Sequence, residues 1–454
     1  MAPKFGTSGL RGLVTELTPD LVADHIRAFV AACPMGSGLW VGRDLRASSP
    51  DLAGVVIGAA QGMGLAVTDC GAVPTPALAL AAMQAGAAAV MVTGSHIPAD
   101  RNGLKFYTPT GEITKAHEAA ILAHLGTAPR GSGPAPVLAG SVGANWVTRY
   151  VTGFGAQALS GLRIGIWAHS AVSRDLLAEA MAALGAECVS IGRLETFLPV
   201  DTEAVSATAR ADLAAWAPGF DAIISTDGDG DRPLLTDGTG AVIPGDILGQ
   251  ITAASLGAAI VVTPVSSNSG AEASGAFVQV IRTKIGSPFV IAAMEEAGGP
   301  VVGYEANGGF LLGFDATGPA GPLPALMTRD SLLPLVTVLA EARKAGGLPA
   351  LLAAQPPRFT ATDRLEETPP EVTAPFLAQM IDNPDTMLSA LSETEITRDL
   401  TDGLRISLAS GRVLHLRPSG NAPEFRLYTE AESPEAATAL LAQLRSFVAQ
   451  ALRA

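Results

Sequence analysis

The stretch DAIISTDGDGDR, residues 221–232, changes character halfway along. Residues 222–226 are a short, β-branched run that predicts a buried strand, and three aspartates alternating with glycine follow it at once. Asp227, Asp229 and Asp231 repel one another in so short a span, so a cation, a hydrogen-bond network or solvent must relieve them. An EF-hand loop also opens D-x-D-x-D, but it requires glycine at its sixth position and glutamate at its twelfth. Arg232 and Gly238 stand there, which excludes the calcium loop. Three carboxylates leave room for water or a phosphate oxygen, a set that suits Mg2+.

Working outward, the same strand-then-glycine pattern recurs in LWVGRD, AVMVTGS, GLRIGIW, AAIVVTP and VVGYE. Ala/Leu-rich stretches such as 174–184 and 329–345 lie between these runs and read as helices. The alternation predicts layered α/β domains with mixed, largely parallel sheets. Pro/Gly-rich joints at 128–136, 236–246 and 353–364 divide the chain into 1–145, 146–245, 246–356 and 357–454. The last part is smaller and α+β: helix, the strands LRISLA, VLHLRPS and EFRLYTE, then an amphipathic helix from Pro434. Weak similarity among the three larger parts agrees with one repeated topology.

At 454 residues, 48% hydrophobic, the chain can bury several cores. Its mean hydropathy of +0.34 calls for a membrane test. The uncharged run most worth testing, 247–271, carries Gln250 and Pro264 and reads as a helix followed by a strand rather than a span. The N-terminus lacks the pattern of a signal peptide. Cys33, Cys70 and Cys188 are far apart and read as buried thiols of a reducing cytoplasm. A net charge of −14 argues against nucleic acid or an anionic membrane as partner. The oligomeric state leaves no mark in the sequence.

Against that acidic background, the cations gather in glycine-rich segments. FGTSGLRG brings Arg11 beside backbone amides able to cradle an oxyanion. VTGSHIPADRNGLKFY carries Ser95, His96 and Lys105; a serine near a cation suits phosphoryl transfer, whereas adjacent Ser and His rarely align as a hydrolase pair. Arg232 follows the acidic triplet. RTKIGSPF supplies Lys284, and GYEANGGF supplies Glu305 and Asn307, a carboxylate and an amide able to grip vicinal hydroxyls. LRPSGNAPEFRLY combines Arg417, Ser419, Gly420, Asn421 and Arg426, a set suited to a phosphate dianion. Together these segments describe a metal-assisted enzyme acting on a phosphorylated, hydroxyl-rich small molecule.

Their order resembles the α-D-phosphohexomutases, which include phosphomannomutases and phosphoglucomutases. That family carries G-T-[SA]-G-x-R-G, a serine loop close to T-A-S-H-N-P, D-G-D-x-D-R, a G-E-x-S-G-H-type sugar loop and R-x-S-G-T-E-P. Counterparts occur here in the same order and span most of the chain. The resemblance implies three related α/β domains and a smaller C-terminal α+β domain around a central cleft. It implies that Ser95 is phosphorylated and that Asp227, Asp229 and Asp231 bind Mg2+ together with that phosphate. Arg11, His96 and Lys105 would then assist transfer, while Glu305 and Asn307 would read the sugar. Arg232, Lys284, Arg417, Ser419, Gly420, Asn421 and Arg426 would hold substrate. The implied reaction interconverts hexose 6- and 1-phosphates through a hexose 1,6-bisphosphate, which also serves as activator.

The chain departs from the pattern at named positions. Gly94 and Ile97 replace Ala and Asn in the serine loop, and Asn307 and Gly309 replace Ser and His in the sugar loop. Ser287 stands where many relatives carry another His, and SGNAPE replaces the Thr-Glu pair of the phosphate loop. The sugar loop is similar to those of bacterial phosphomannomutases, which makes mannose 6-phosphate and mannose 1-phosphate the expected pair. A phosphoglucomutase or phosphoglucosamine mutase would differ only in that loop. A phosphatase using Ser95 or a non-catalytic sugar-phosphate sensor would be a different class, distinguished by steady phosphate release or by absent turnover.

Overall fold

The computed structural model describes residues 3–6, 9–419 and 424–453. The chain divides into two compact units. The first is Met1–Val261 with Gly286–Leu352, and the second is Val262–Ile285 with Ala353–Ala454.

The first sheet of the first unit comprises β1 (Lys4–Gly6), β2 (Gly9–Leu13), β3 (Leu39–Arg43), β4 (Val67–Ala72), β5 (Ala88–Val92), β6 (Arg101–Thr108), β7 (Gly111–Glu112) and β8 (Val137–Leu138). Its order is β1-β2-β6-β5-β3-β4-β8, with β7 beside β6. β5, β3, β4 and β8 pair in parallel, whereas β6 runs antiparallel to both β5 and β2. β5 reads AAVMV and is buried throughout, the continuous apolar run expected of a strand covered on both faces. Helix Pro19–Ala32 starts where the Thr18 hydroxyl accepts from Leu21 N and Pro19 supplies a compatible first turn. Val22, Ile26 and Phe29 share one stripe of it and are fully buried, each contributing about 1.5–3 kcal/mol.

The second sheet holds β9 (Arg163–Trp167), β10 (Glu187–Ile191), β11 (Ala222–Thr226) and β12 (Pro233–Leu235) in the order β10-β9-β11-β12. Its first three strands are parallel and β12 is antiparallel to β11. Trp167, Leu213, Ile223 and Leu234 form its core. Strands Val301–Tyr304, Phe310–Leu312 and Leu326–Asp330 form a further antiparallel set in this unit. Ligand-facing loops of such sheets follow the carboxyl ends of strands, and Ser95, Asp227 and Glu305 all lie just past such ends.

The second unit contains an antiparallel sheet in the order Phe359–Leu365, Phe425–Ala431, Val413–Pro418, Leu404–Leu408, Glu395–Asp399. Leu404, Ile406, Leu414, Leu416, Phe425 and Leu427 from its strands bury against Leu440 and Leu444 of helix Pro434–Ala451. Thus the α+β reading of the tail holds.

Several expectations need correction. Residues 329–331 are not helical: Arg329 ends the strand Leu326–Asp330 and the helix is Leu332–Ala345. The joint at 353–364 is a joint only in its first half, because Phe359–Leu365 pairs with Phe425–Ala431. Cys33 and Cys70 are buried, but Cys188 is half-buried because β10 is an edge strand. Arg11, Lys105, Arg417 and Arg426 sit on strands rather than in loops, since the glycines near them punctuate very short runs. The run 247–271 is indeed helix Gly245–Ser255 followed by strand Ile260–Pro264. Among the described residues no helix is long and apolar enough to cross a membrane.

His415 gives the second unit a pH signature. It is buried, stacks on Tyr428 with ring centroids 5.1 Å apart, and donates through Nε2 to Asp402 O at 2.6 Å. Burial first, opposed by that hydrogen bond and aided by Arg417, pushes the imidazole down to about 4. An unfolded histidine titrates near pH 6.5, so between those values the unfolded chain binds the extra proton and stability falls as pH falls. His415→Gln should remove about 2–3 kcal/mol of that acid loss in urea melts stepped from pH 7 to 4. An unchanged slope would contradict the assignment.

Candidate active site

Ser95 follows β5 through Thr93 and Gly94. Its φ of 52° is one of three positive values among described non-glycine residues. Such backbone strain costs about 1–3 kcal/mol and persists only when neighbours hold it. Here Ser95 N–H donates to Thr93 Oγ1 at 2.7 Å and Ser95 O accepts from Arg46 at 2.9 Å. Arg46 also donates to the carbonyls of Ile97 at 2.6 Å, Pro98 at 2.7 Å and Arg101 at 2.8 Å, and lies 4.0 Å over the Phe197 ring. The serine loop is therefore wrapped around one buried guanidinium.

That arrangement explains Gly94. A Cβ there would lie 2.6 Å from Arg46 Cζ and 2.7 Å from its Nε. Since four carbonyls hold the guanidinium, it cannot retreat. Gly94→Ala should destabilise the protein by about 1–3 kcal/mol, as overpacking does, and lower kcat with it. Thermal melts and steady-state kinetics check this, and a variant with parental stability and rate would contradict the clamp.

The acidic segment closes beneath this serine. Asp227 N–H donates to Arg232 O at 3.1 Å, and Gly230, at φ 79°, makes the left-handed bend that the turn requires. Gly228 allows close approach, because a Cβ there would meet Ser95 O at 2.7 Å. All three aspartates are fully buried, with one carboxylate oxygen from each within 4.8 Å of the others. Ser95 Oγ donates to Asp227 Oδ2 at 2.6 Å. Lys105 Nζ bridges Asp229 Oδ2 at 2.6 Å and Asp231 Oδ2 at 2.5 Å, and Thr75 Oγ1 donates to Asp229 Oδ2.

Two carboxylate oxygens, Asp229 Oδ1 and Asp231 Oδ1, are buried without any hydrogen-bond donor. Hard oxygen donors left this way fit a divalent cation such as Mg2+, and Asp227, Asp229 and Asp231 are the residues that would hold it.

The electrostatics assign complementary roles. Burial, then the charges of Asp229 and Asp231, raise the Asp227 carboxyl well above its ordinary range. Burial also pushes Asp229 upward, but the Lys105 ammonium and the hydrogen bonds from Lys105 and Thr75 outweigh it and leave that carboxyl lowered. His96 is held well below an ordinary histidine by burial and by Arg232 and Arg11. Its Nδ1 accepts from Arg232 at 2.9 Å and lies 3.2 Å from Ser95 Oγ. A neutral imidazole thus sits beside the serine among fixed cations. Arg11 feels Arg232, Arg329, Asp229 and Asp231, and burial with the first two pulls it down to about 10.

Glu305 and Asn307 are buried in the same unit, where Asn307 Nδ2 donates to Glu305 Oε2 at 3.4 Å and its Oδ1 accepts from Gly309 N at 3.0 Å. Ser287 Oγ donates to Glu112 Oε2 at 2.9 Å. Sequence reasoning missed Arg46 and Arg329. Both follow or end short apolar strands with charged residues, LWVGRDLR and LMTRD, the same signal that marked the other segments. Arg329 lies 3.0 Å from Asp231 and 3.9 Å from Glu305.

In the second unit, Arg417 and Arg426 are direct cross-strand partners, and Arg364, also missed, is the next in the same row. Like charges set opposite one another are unfavourable without an anion or nearby carboxylates. Asp402 meets Arg417 at 3.5 Å and Glu424 meets Arg426 at 3.4 Å. Asp402 also accepts from Ile285 N at 3.1 Å, which brings the segment of Lys284 to the same place. Ser419 N donates to Glu424 O at 2.8 Å. Gly420 and Asn421 lie outside the described residues.

The chain is similar to known proteins over nearly its whole length. Residues 2–130 match the model of phosphoglucomutase/phosphomannomutase alpha/beta/alpha domain I, 237–359 that of domain III and 380–446 that of the C-terminal domain. The chain is 45% identical to a phosphomannomutase of Sinorhizobium fredii, over 98% of each chain. It is 41% identical to one of Salmonella muenchen, over 95% of this chain and 92% of that one. A phosphoglucosamine mutase of Rhodococcus erythropolis is 29% identical over 99% of each. A crystal structure of a phosphoglucomutase/phosphomannomutase family protein from Burkholderia thailandensis shares the fold, with a TM-score of 0.78 at 22% identity over 98% of this chain and 96% of that one.

Proposed function

The chain belongs to the phosphoglucomutase/phosphomannomutase family, and from that premise we propose that it interconverts mannose 6-phosphate and mannose 1-phosphate through phosphorylated Ser95 and a hexose 1,6-bisphosphate. It is a phosphohexomutase, an isomerase acting on hexose phosphates. The observation that carries the finer reading is the 2.6 Å hydrogen bond from Ser95 Oγ to Asp227, which joins the serine loop to the acidic triplet 132 residues away.

In the first transfer the free hydroxyl of the substrate attacks phosphorus, and the bond from phosphorus to Ser95 Oγ breaks. The hydroxyl proton passes to neutral His96, whose Nδ1 lies 3.2 Å from Ser95 Oγ. The serine oxygen left behind is met by the cations around it. Mg2+ bound by Asp227, Asp229 and Asp231 supplies neutralisation of the phosphoryl oxygens. Lys105 and Arg11 add fixed positive charge, so little reorganisation is needed as charge moves. The bisphosphate turns over, Ser95 Oγ attacks its other phosphorus as the bond from that phosphorus to the sugar oxygen breaks, and the proton held by His96 goes to the sugar oxygen. Arg417, Ser419, Arg426 and Lys284 hold the non-reacting phosphate, while Glu305 and Asn307 read the ring hydroxyls. The four-part division at 145, 245 and 356 gives the serine to the first part, the metal to the second, the ring hydroxyls to the third and the non-reacting phosphate chiefly to the fourth.

Mannose is favoured because the phosphomannomutase relatives are more similar than the phosphoglucosamine mutase. The test is purified chain with Mg2+ and a trace of hexose 1,6-bisphosphate, offered mannose, glucose and glucosamine phosphates side by side. Fastest interconversion with mannose supports the reading; steady release of inorganic phosphate, or faster turnover of another hexose, contradicts it.

A further inference from the structure

The acidic loop is fastened by three segments distant from it in sequence. Gly228 O accepts from Val172 N at 3.1 Å, Asp229 O from Thr75 N at 2.9 Å and Gly230 O from Ser331 Oγ at 2.7 Å. Three successive carbonyls are thus held, and the backbone of the loop is fixed independently of its side chains. Thr75 does more than the other two. It is fully buried at the first position of helix Thr75–Gln84, and its Oγ1 also donates to Asp229 Oδ2. The start of that helix lies directly against the loop, since a Cβ at Gly230 would come within 3.0 Å of Pro74 Cβ.

The two oxygens of Asp229 therefore differ. Oδ2 receives two donors, Thr75 Oγ1 and Lys105 Nζ, whereas buried Oδ1 receives none. Lys105 divides its ammonium between Asp229 at 2.6 Å and Asp231 at 2.5 Å, so the Thr75 hydroxyl is the donor that Asp229 does not share with Asp231.

We propose that Thr75 is a positioning residue that offers one oxygen of Asp229 to the cation and withholds the other, and so biases the triplet toward Mg2+ over Ca2+. This rests on the reading of the triplet as a cation site made above. Mg2+ demands a tight octahedron and accepts single carboxylate oxygens with water, whereas Ca2+ tolerates more ligands and takes carboxylates through both oxygens. Recruiting Oδ2 as a second ligand atom would strand the buried hydroxyl that donates to it, which is costly. Hydrogen bonds from outside the ligand set orient metal ligands in this way, and losing one weakens binding about 10–100-fold.

The experiment titrates Mg2+ and, separately, Ca2+ by calorimetry into the chelator-stripped full-length parent, Thr75→Val, Thr75→Ala and Thr75→Ser. Valine keeps the shape and the N–H that holds Asp229 O, and it deletes only the hydroxyl. Thr75→Val should raise the Kd for Mg2+ about tenfold and that for Ca2+ far less, so that the ratio of the two constants moves by nearly the same factor. Thr75→Ser, which returns the hydroxyl, should keep the parental ratio. Should Thr75→Val fail to fold, Thr75→Ala decides, because it removes the hydroxyl without branched methyl groups. An unchanged ratio in the variants without the hydroxyl, whether from parental binding or from an equal loss for both ions, would overturn the inference and leave the triplet as the cation site. So would a serine variant that behaves like valine, or a failure of both Thr75→Val and Thr75→Ala to fold, which would make the hydroxyl a requirement of the fold alone. A parent that binds neither ion would overturn the reading of the triplet and this inference with it.

Discussion

Ser95→Ala should abolish isomerisation, lowering kcat at least about 10^4-fold, because Ser95 is the hydroxyl proposed to carry the phosphoryl between two half-reactions. Ser95 is the hydroxyl that donates to Asp227, that faces neutral His96 and that sits on the strained turn held by Arg46. The variant loses one oxygen and keeps the clamp, so its melting temperature should stay close to the parent's while turnover vanishes. Phosphorylation of the peptide containing residue 95 should vanish with it. Normal turnover in Ser95→Ala would remove the covalent step from the mechanism.

Asp227→Asn should separate stability from activity. The three buried aspartates repel one another, and burial with Asp229 and Asp231 already drives Asp227 toward its protonated form. Asn keeps the shape and that neutral state, so metal-free stability should stay within about 1 kcal/mol of the parent's. The same change weakens both cation binding and alignment of Ser95, and kcat should fall about 10^2–10^3-fold. In the parent, Mg2+ at a hundred times its Kd should add about 2.7 kcal/mol of stability, and in Asp227→Asn this gain should shrink sharply. Melts with Mg2+ and with chelator measure both effects. A variant that remained as responsive to Mg2+ as the parent would place the cation elsewhere.

Much of this architecture was readable because the segments proposed to carry the chemistry follow short strands whose apolar runs end abruptly in glycine and charge. Residues 221–232 show it best: β11 stops at Thr226 and the carboxylates begin at Asp227. Ser95 and Glu305 obey the same rule. Arg329 was misread because strand LMTRD runs straight into an Ala/Leu-rich helix, and local pattern gives no boundary between them. Arg46 was passed over because its partners are backbone carbonyls, which leave no trace in residue type. The reason for Gly94 lay in the same place: the atoms that exclude a methyl belong to Arg46, 48 positions away in the sequence. The strand Phe359–Leu365 was hidden by the Pro-Pro pair before it and by being largely exposed, so its apolar alternation is weak.

The most direct measurement is the phosphate on Ser95 itself. The full-length parent is incubated with Mg2+ and hexose 1,6-bisphosphate, and the peptide containing Ser95 is quantified by mass spectrometry before and after mannose 6-phosphate is added. The mechanism requires a phosphoserine at position 95 that forms with the bisphosphate and discharges on addition of the monophosphate, with bisphosphate appearing in its place. Continued isomerisation with no phosphate on Ser95 at any time would contradict it.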